Sequence, residues 1–78
     1  MEYDEDKIDE MVLALLYLTT FKEKDWHRAW KGHDWDALNR LHEKGYISDP
    51  KSKAKSVVID EEAVKKSEEL FKKYFVKN

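Results

Sequence analysis

The fold is decided by one stretch of the sequence, residues 34–48, which reads DWDALNRLHEKGYIS. Asp34 is a residue type that caps the start of a helix, and Gly45 is a residue type that ends one. Between them, Leu38 and Leu41 are spaced so that both face a core. The stretch therefore predicts a helix that begins at Asp34 and stops before Gly45.

A polar hairpin is predicted after this helix. Residues 46–48 form a short strand in this interpretation, and the β-branched run at residues 56–59 is its partner. The seven residues between them, 49–55, suit a hairpin loop. Three lysines alternate with small residues in that loop: Lys51, Lys53 and Lys55.

Helical periodicity predicts three further helices, at residues 4–20, 26–31 and 60–76. In the second of these, Trp26 and Trp30 lie four residues apart and would share one helix face. The resulting order is α-α-α-β-β-α. This order is typical of a mostly helical α+β fold, the winged helix–turn–helix with a two-stranded wing.

Two segments carry a resemblance to a known class of proteins. Residues 38–47 read LNRLHEKGYI and residues 56–63 read SVVIDEEA. They resemble the end of the recognition helix and the wing of bacterial regulators of the MarR and PadR type, although Asp60 and Ala63 stand where Thr and Gly are usual. The resemblance implies a winged-helix fold, and DNA binding is the function that such a fold first suggests.

A second resemblance extends over the whole chain. It rests on residues 30–36, which read WKGHDWD, and on residues 48–57, which read SDPKSKAKSV. These segments are similar to a group of short bacterial proteins known as a domain of unknown function. That resemblance implies no biochemical activity.

Composition limits the class of protein. The 78 residues are 41% hydrophobic and 41% charged, with a net charge of −2 and no cysteine. A single domain spanning residues 1–78 is expected at this length. The apolar content is too high for a disordered tail, and no apolar run is long enough for a membrane span. Since the acidic N-terminus is unlike a secretory signal, we expect a cytoplasmic protein with no membrane contact.

The exposed side of the 34–44 helix is the candidate partner surface. We expect a non-enzymatic regulatory or protein-interaction module that binds through five residues of this helix: Trp35, Asp36, Asn39, Arg40 and Glu43. The alternative is a DNA-binding transcriptional regulator, in which Asn39 and Arg40 contact bases and the lysines of the 49–55 wing contact phosphates. The acidic residues on the same helix disfavour that alternative.

Charge is distributed unevenly along the chain. Residues 1–49 hold 7 basic and 12 acidic side chains, a net charge of −5, whereas residues 50–78 hold 8 basic and 5 acidic ones, a net charge of +3. Solubility and helix-dipole placement are one explanation. The other is self-complementarity, with a homodimer formed through the first and last helices.

The remaining aromatic and histidine residues predict no chemistry. Size favours a core position for Trp26 and Trp30 over a ligand-binding surface, whereas an exposed Trp35 would be an interaction hot spot. The histidines lack zinc-ligand spacing, and the sequence offers no nucleophile with a recognisable base. We therefore expect no metal, no cofactor and no enzymatic activity.

Overall fold

The computed structural model describes residues 1–77 and shows an α+β fold. In this range three helices accompany a three-stranded antiparallel sheet with strand order β1-β2-β3. A short 3₁₀ helix follows the first helix. The elements in chain order are α1 (Glu5–Leu16), the 3₁₀ helix (Tyr17–Thr19), β1 (Thr20–Glu23), β2 (Trp26–Trp30), α2 (Trp35–Glu43), β3 (Ser56–Ile59) and α3 (Glu61–Phe75).

The winged-helix prediction is wrong. Two strands lie between the first helices, where the predicted order α-α-α-β-β-α has a helix, and the third strand pairs with the second of them. The helix expected to continue to residue 20 ends at Leu16, and β1 begins at Thr20. The fold implied by the MarR and PadR resemblance is therefore absent from residues 1–77.

The predicted helix at residues 26–31 is the strand β2. A spacing of four residues places two side chains on one face of a helix, but four is also an even number and places them on one face of a strand. Trp26 and Trp30 fit both structures. Ala29 decides between them, because it is completely buried on the opposite side of the strand from its neighbour Trp30.

A two-residue turn connects β1 to β2. Glu23 pairs with Trp26, so Lys24 and Asp25 form the turn. Lys24 has a φ of 55°, a left-handed conformation that lysine adopts at a cost. Glycine or asparagine is usual at such a position. The turn therefore carries no sequence signal of a hairpin.

The predicted second hairpin is present in reduced form. β3 at Ser56–Ile59 is confirmed, but its principal partner is β2. The strand expected at residues 46–48 is reduced to a single bridge between Ile47 and Ile59, supported by the Ser48 N–H, which donates to the Val58 carbonyl at 2.9 Å.

The predictions for the last two helices are confirmed, including their caps. The Asp34 side chain accepts a hydrogen bond from Ala37 N at 3.1 Å, and the Asp60 side chain accepts one from Ala63 N at 2.7 Å. Both helices present an apolar side to the core. The core contains residues of all three helices and of β2 and β3, of which the largest fully buried are Leu13, Leu16, Leu38, Leu41, Val57 and Ile59.

One face of the sheet packs on this core, and the other is not covered by the helices. Ala29 and Val57 point inward and are completely buried. Their neighbours along each strand point to the opposite side, because side chains alternate along a strand. No helix within residues 1–77 has the length and apolar character needed to cross a membrane.

Candidate functional site

A buried ionic cluster joins α1 to α2. Asp9 on α1 is 1% exposed. Arg40 Nε donates to both carboxylate oxygens of Asp9 at 2.9 Å, and Lys44 Nζ donates to Asp9 Oδ2 at 2.9 Å. The same two cations reach the exposed acids Glu5, at 2.8 Å, and Asp6, at 3.2 Å. Since a buried carboxylate is tolerated only when it is paired and hydrogen-bonded, the cluster fixes how the two helices pack.

The pKa values of the two cations follow from this arrangement. The hydrogen bond to Asp9 raises the pKa of Lys44 above its ordinary value, and this effect exceeds the opposing effect of burial. Burial lowers the pKa of Arg40, but the hydrogen bond and charge of Asp9, together with the charges of Glu5 and Asp34, raise it overall. Both side chains therefore remain cationic at neutral pH.

A hollow of about 330 Å³ lies beside this cluster and is a candidate ligand pocket. Its polar wall includes Asp9 and Lys44, which already bind each other, and its apolar wall includes Leu13 and Leu41. The Lys66 ammonium on its rim lies 5.6 Å from the centre of the Tyr46 ring. Because its buried polar groups are engaged within the protein, the hollow offers a ligand few free partners.

The uncovered side of the sheet, which we call the outer sheet face, carries aromatic side chains. Trp26 is 64% exposed and Trp30 is 50% exposed, both on the central strand β2. Phe21 on β1 lies against Trp30, with 5.3 Å between ring centroids. Val58 on β3 is half-buried, and its register partner is Arg28. Directly paired residues share a face, so these five side chains form one surface.

Arg28 stiffens the middle of the outer sheet face. Its Nε donates to the Ser56 hydroxyl at 2.7 Å, and its Nη2 donates to the Ser56 carbonyl at 2.9 Å. Its Nε also lies 4.0 Å from the carboxylate of Glu23 on β1. A side chain on the central strand thus contacts both neighbouring strands, and Arg28 alternates with Trp26 and Trp30 along β2.

One end of the outer sheet face is basic. The backbone N–H of Lys31, the residue after β2, donates to the Lys55 carbonyl at 3.2 Å. The Lys31 ammonium donates to the carbonyls of Pro50 and Ser52, both at 2.7 Å. These bonds fasten the 49–55 loop beside Trp30. The basic end comprises the three lysines of this loop, Lys51, Lys53 and Lys55, whose charge is offset by one acid in the loop, Asp49.

The opposite end of the outer sheet face is acidic. A hollow of about 180 Å³ at this end is lined by Trp26, Asp25, Asp60 and Glu61 among others. Glu23, at the end of β1, pairs directly with Trp26. The acidic end therefore comprises Glu23, Asp25, Asp60 and Glu61, whose charge is offset by one lysine in the turn, Lys24.

The residues of the predicted partner surface differ in whether they are engaged within the protein or exposed. Arg40 turns toward α1 and binds Asp9 and Glu5, so its guanidinium is engaged within the protein. Trp35 is 48% exposed, and its ring centre lies 6.0 Å from the Lys31 ammonium, next to the basic end. The remaining predicted residues differ in exposure: Asp36, Glu43, Lys51, Lys53 and Lys55 are exposed, and Asn39 is half-buried.

Sequence reasoning missed the outer sheet face. The core position that size favours for Trp26 and Trp30 is wrong, because both side chains lie on the open face of the strand β2. The signal that was available is alternation: Trp26, Arg28 and Trp30 are every second residue, and the residue between the last two is a small alanine. Such alternation is typical of a half-buried strand.

Within residues 1–77, no three His, Asp or Glu side chains lie close enough together to hold a metal ion. Among the histidines, His33 lies in the connection between β2 and α2 and is half-buried. Burial lowers the pKa of His33 below its ordinary value, because it disfavours the charged imidazolium.

Comparison with known proteins gives two matches. A family model described as "Domain of unknown function (DUF6429)" matches residues 4–77. The "Uncharacterized protein y4hR" of Sinorhizobium fredii (strain NBRC 101917 / NGR234) is 53% identical over 77 residues, which are 99% of this chain and all of that protein. No solved structure matches the chain. The predicted similarity to short bacterial proteins with a domain of unknown function is confirmed.

Proposed function

The chain belongs to the DUF6429 family, and we propose that it is a non-enzymatic protein-interaction module that binds through its outer sheet face. The observation that carries this proposal is the exposure of Trp26 and Trp30 on the central strand of a small sheet. Leaving large apolar side chains exposed to water costs free energy relative to burying them. Two of them together on a rigid strand therefore mark a binding surface.

The composition of the outer sheet face suits a protein partner. Trp and Arg are the residue types most enriched among binding hot spots. Here two Trp side chains flank Arg28, and Phe21 extends the apolar surface. Because the Ser56 hydrogen bonds hold Arg28 and the contact between Phe21 and Trp30 restrains those two rings, less conformational entropy is lost when a partner binds.

Binding of duplex DNA receives less support. In that alternative, Arg40 would contact bases, but its guanidinium is held by Asp9 and Glu5. The exposed part of α2 retains the acids Asp36 and Glu43, which repel phosphates. The lysines of the 49–55 loop favour DNA, but the acidic end of the outer sheet face opposes it.

The test is site-specific photo-crosslinking in cells that naturally contain the protein. A photo-reactive amino acid replaces Trp26 in one variant and Glu69 in the matched control. Glu69 is exposed on α3, in the helical layer on the other side of the sheet. We expect protein adducts, identified by mass spectrometry, from position 26 and few from position 69. Equal yields at both positions, or none at position 26, would overturn the proposal.

A further inference from the structure

We infer that the partner bound by the outer sheet face is a second copy of this chain, packed face to face with its strands antiparallel to those of the first. The inference rests on the proposed function, because it names the partner of the same surface. It differs from a dimer formed through the first and last helices, since those helices lie on the other side of the sheet.

The distribution of charge on the outer sheet face supports this arrangement. The acidic end has a net charge of −3 when Lys24 is included, and the basic end has a net charge of +2 when Asp49 is included. The two ends are separated by the length of β2, about 16 Å for five residues. A surface with opposite charges at its two ends is complementary to a copy of itself turned end to end.

Symmetry selects one orientation. A two-fold axis perpendicular to the strands, lying between the two sheets, places each acidic end over the basic end of the partner. An axis parallel to the strands would place acidic end on acidic end, and like charges in apposition are costly. The first axis also brings Trp26 of one chain to Trp30 of the other, so each contact occurs twice, as in other isologous dimers.

The same charge distribution argues against other occupants. A nucleic acid strand would find the lysines of the basic end but would meet four carboxylates within about 16 Å along the strands. A uniformly acidic or basic protein would be attracted by one end and repelled by the other. A copy of this chain satisfies both ends together with the aromatic centre.

The size of the face sets the expected affinity. The three strands span about 10 Å across. Even when both charged ends are included, the area buried on each partner is therefore no larger than the about 800 Å² that a standard specific interface buries. We therefore expect reversible dimerisation with a Kd on the order of micromolar. Since the charged ends are exposed to solvent, raising the salt concentration from about 50 mM to about 500 mM should weaken dimerisation several-fold.

The experiment exchanges the charges of the two ends. One variant carries Lys53→Glu and Lys55→Glu and has two acidic ends; the other carries Asp25→Lys and Glu61→Lys and has two basic ends. All four residues are exposed, and none of them caps a helix. Sedimentation velocity measures association of each variant alone and of their equimolar mixture, from about 10 µM to about 1 mM chain, and circular dichroism monitors folding.

We expect the wild type to dimerise, each variant alone to associate at least about tenfold more weakly, and the mixture to recover dimers. Recovery in the mixture also demonstrates that both variants are folded. A wild type that is monomeric throughout overturns the inference. So does a dimer that is unaffected by both exchanges but is lost in Leu18→Asn, a variant of an exposed residue beside α1.

The failure of this inference is distinguishable from failure of the proposed function. If the wild type is monomeric and photo-crosslinking at position 26 captures a different protein, the surface binds but its partner is not a second copy. If position 26 yields no adduct at all, the proposed function itself fails.

Discussion

The two sides of this small domain handle polar and apolar groups in opposite ways. Between α1 and α2, the Asp9 carboxylate is buried and all its charge is balanced by Arg40 and Lys44. On the outer sheet face, Trp26 and Trp30 stay in contact with water. The polar groups between α1 and α2 are thus paired with each other and hold the two helices together, whereas the sheet retains apolar surface that a partner can cover.

The largest expected effect comes from removing the centre of the ionic cluster. Asp9→Ala leaves Arg40 and Lys44 close together without their shared carboxylate. We expect the free energy of unfolding to fall by about 3 kcal/mol, at the lower end for broken buried ion pairs because both cations are partly exposed. Urea denaturation measures the change.

Asp36→Ala is the matched control for Asp9→Ala. It removes an exposed acid at the start of α2, and we expect a change within about 0.5 kcal/mol. If the two variants lose similar amounts of stability, the cluster does not hold α1 against α2.

The second prediction concerns Lys44 and pH. Its pKa is raised in the folded protein, so its contribution to stability is complete below the unfolded value of 10.5 and is lost as the pH rises through the higher folded value. We expect wild type to be more stable than Lys44→Gln at pH 8 and the difference to shrink above about pH 11. Thermal melts of both proteins across this range measure it.

Lys65→Gln on the exposed side of α3 is the control for Lys44→Gln. Its stability difference from wild type at pH 8 should be small, because its side chain is exposed. A pH-independent difference for Lys44→Gln would show that its charge does not stabilise Asp9.

The third prediction concerns the turn that brings β1 to β2. Lys24 adopts a φ of 55°, which glycine adopts without steric cost. We expect Lys24→Gly to increase the free energy of unfolding by about 0.5–1 kcal/mol. A control variant at Lys22, Lys22→Gly within β1, should decrease it. Chemical denaturation of both variants tests the prediction, and a loss of stability in Lys24→Gly would contradict it.

The helical side of the fold was predictable from local sequence. Asp34 and Asp60 are strong N-cap residues followed by apolar periodicity, and both helices begin where these residues predict. Ser56–Ile59 was recognisable from its β-branched residues. Each of these signals acts within a few residues of the chain.

The sheet and the ionic cluster were not predictable in this way. The spacing of Trp26 and Trp30 fits a helix and a strand equally, and the Lys24 turn lacks the residues typical of hairpins. Asp9 and Arg40 are 31 residues apart, so nothing local indicates that they pair. The local sequence therefore predicts an exposed recognition residue at Arg40 and a core position for Trp26 and Trp30, whereas the fold holds the first against Asp9 and exposes the other two.

The smallest expected loss of stability per truncated side chain comes from the outer sheet face. Replacing both exposed tryptophans, Trp26→Ala with Trp30→Ala, removes mainly side-chain area that already contacts water. We expect the free energy of unfolding to fall by about 1–2 kcal/mol for the pair, compared with about 3 kcal/mol or more for each large buried aromatic side chain that is truncated. Self-association measured by sedimentation should weaken at least about tenfold. Phe75→Ala, which truncates an exposed aromatic side chain on α3, should leave association nearly unchanged. A double variant that unfolds at room temperature would instead place these tryptophans in the core, and equal association of all three proteins would remove the outer sheet face as a binding surface.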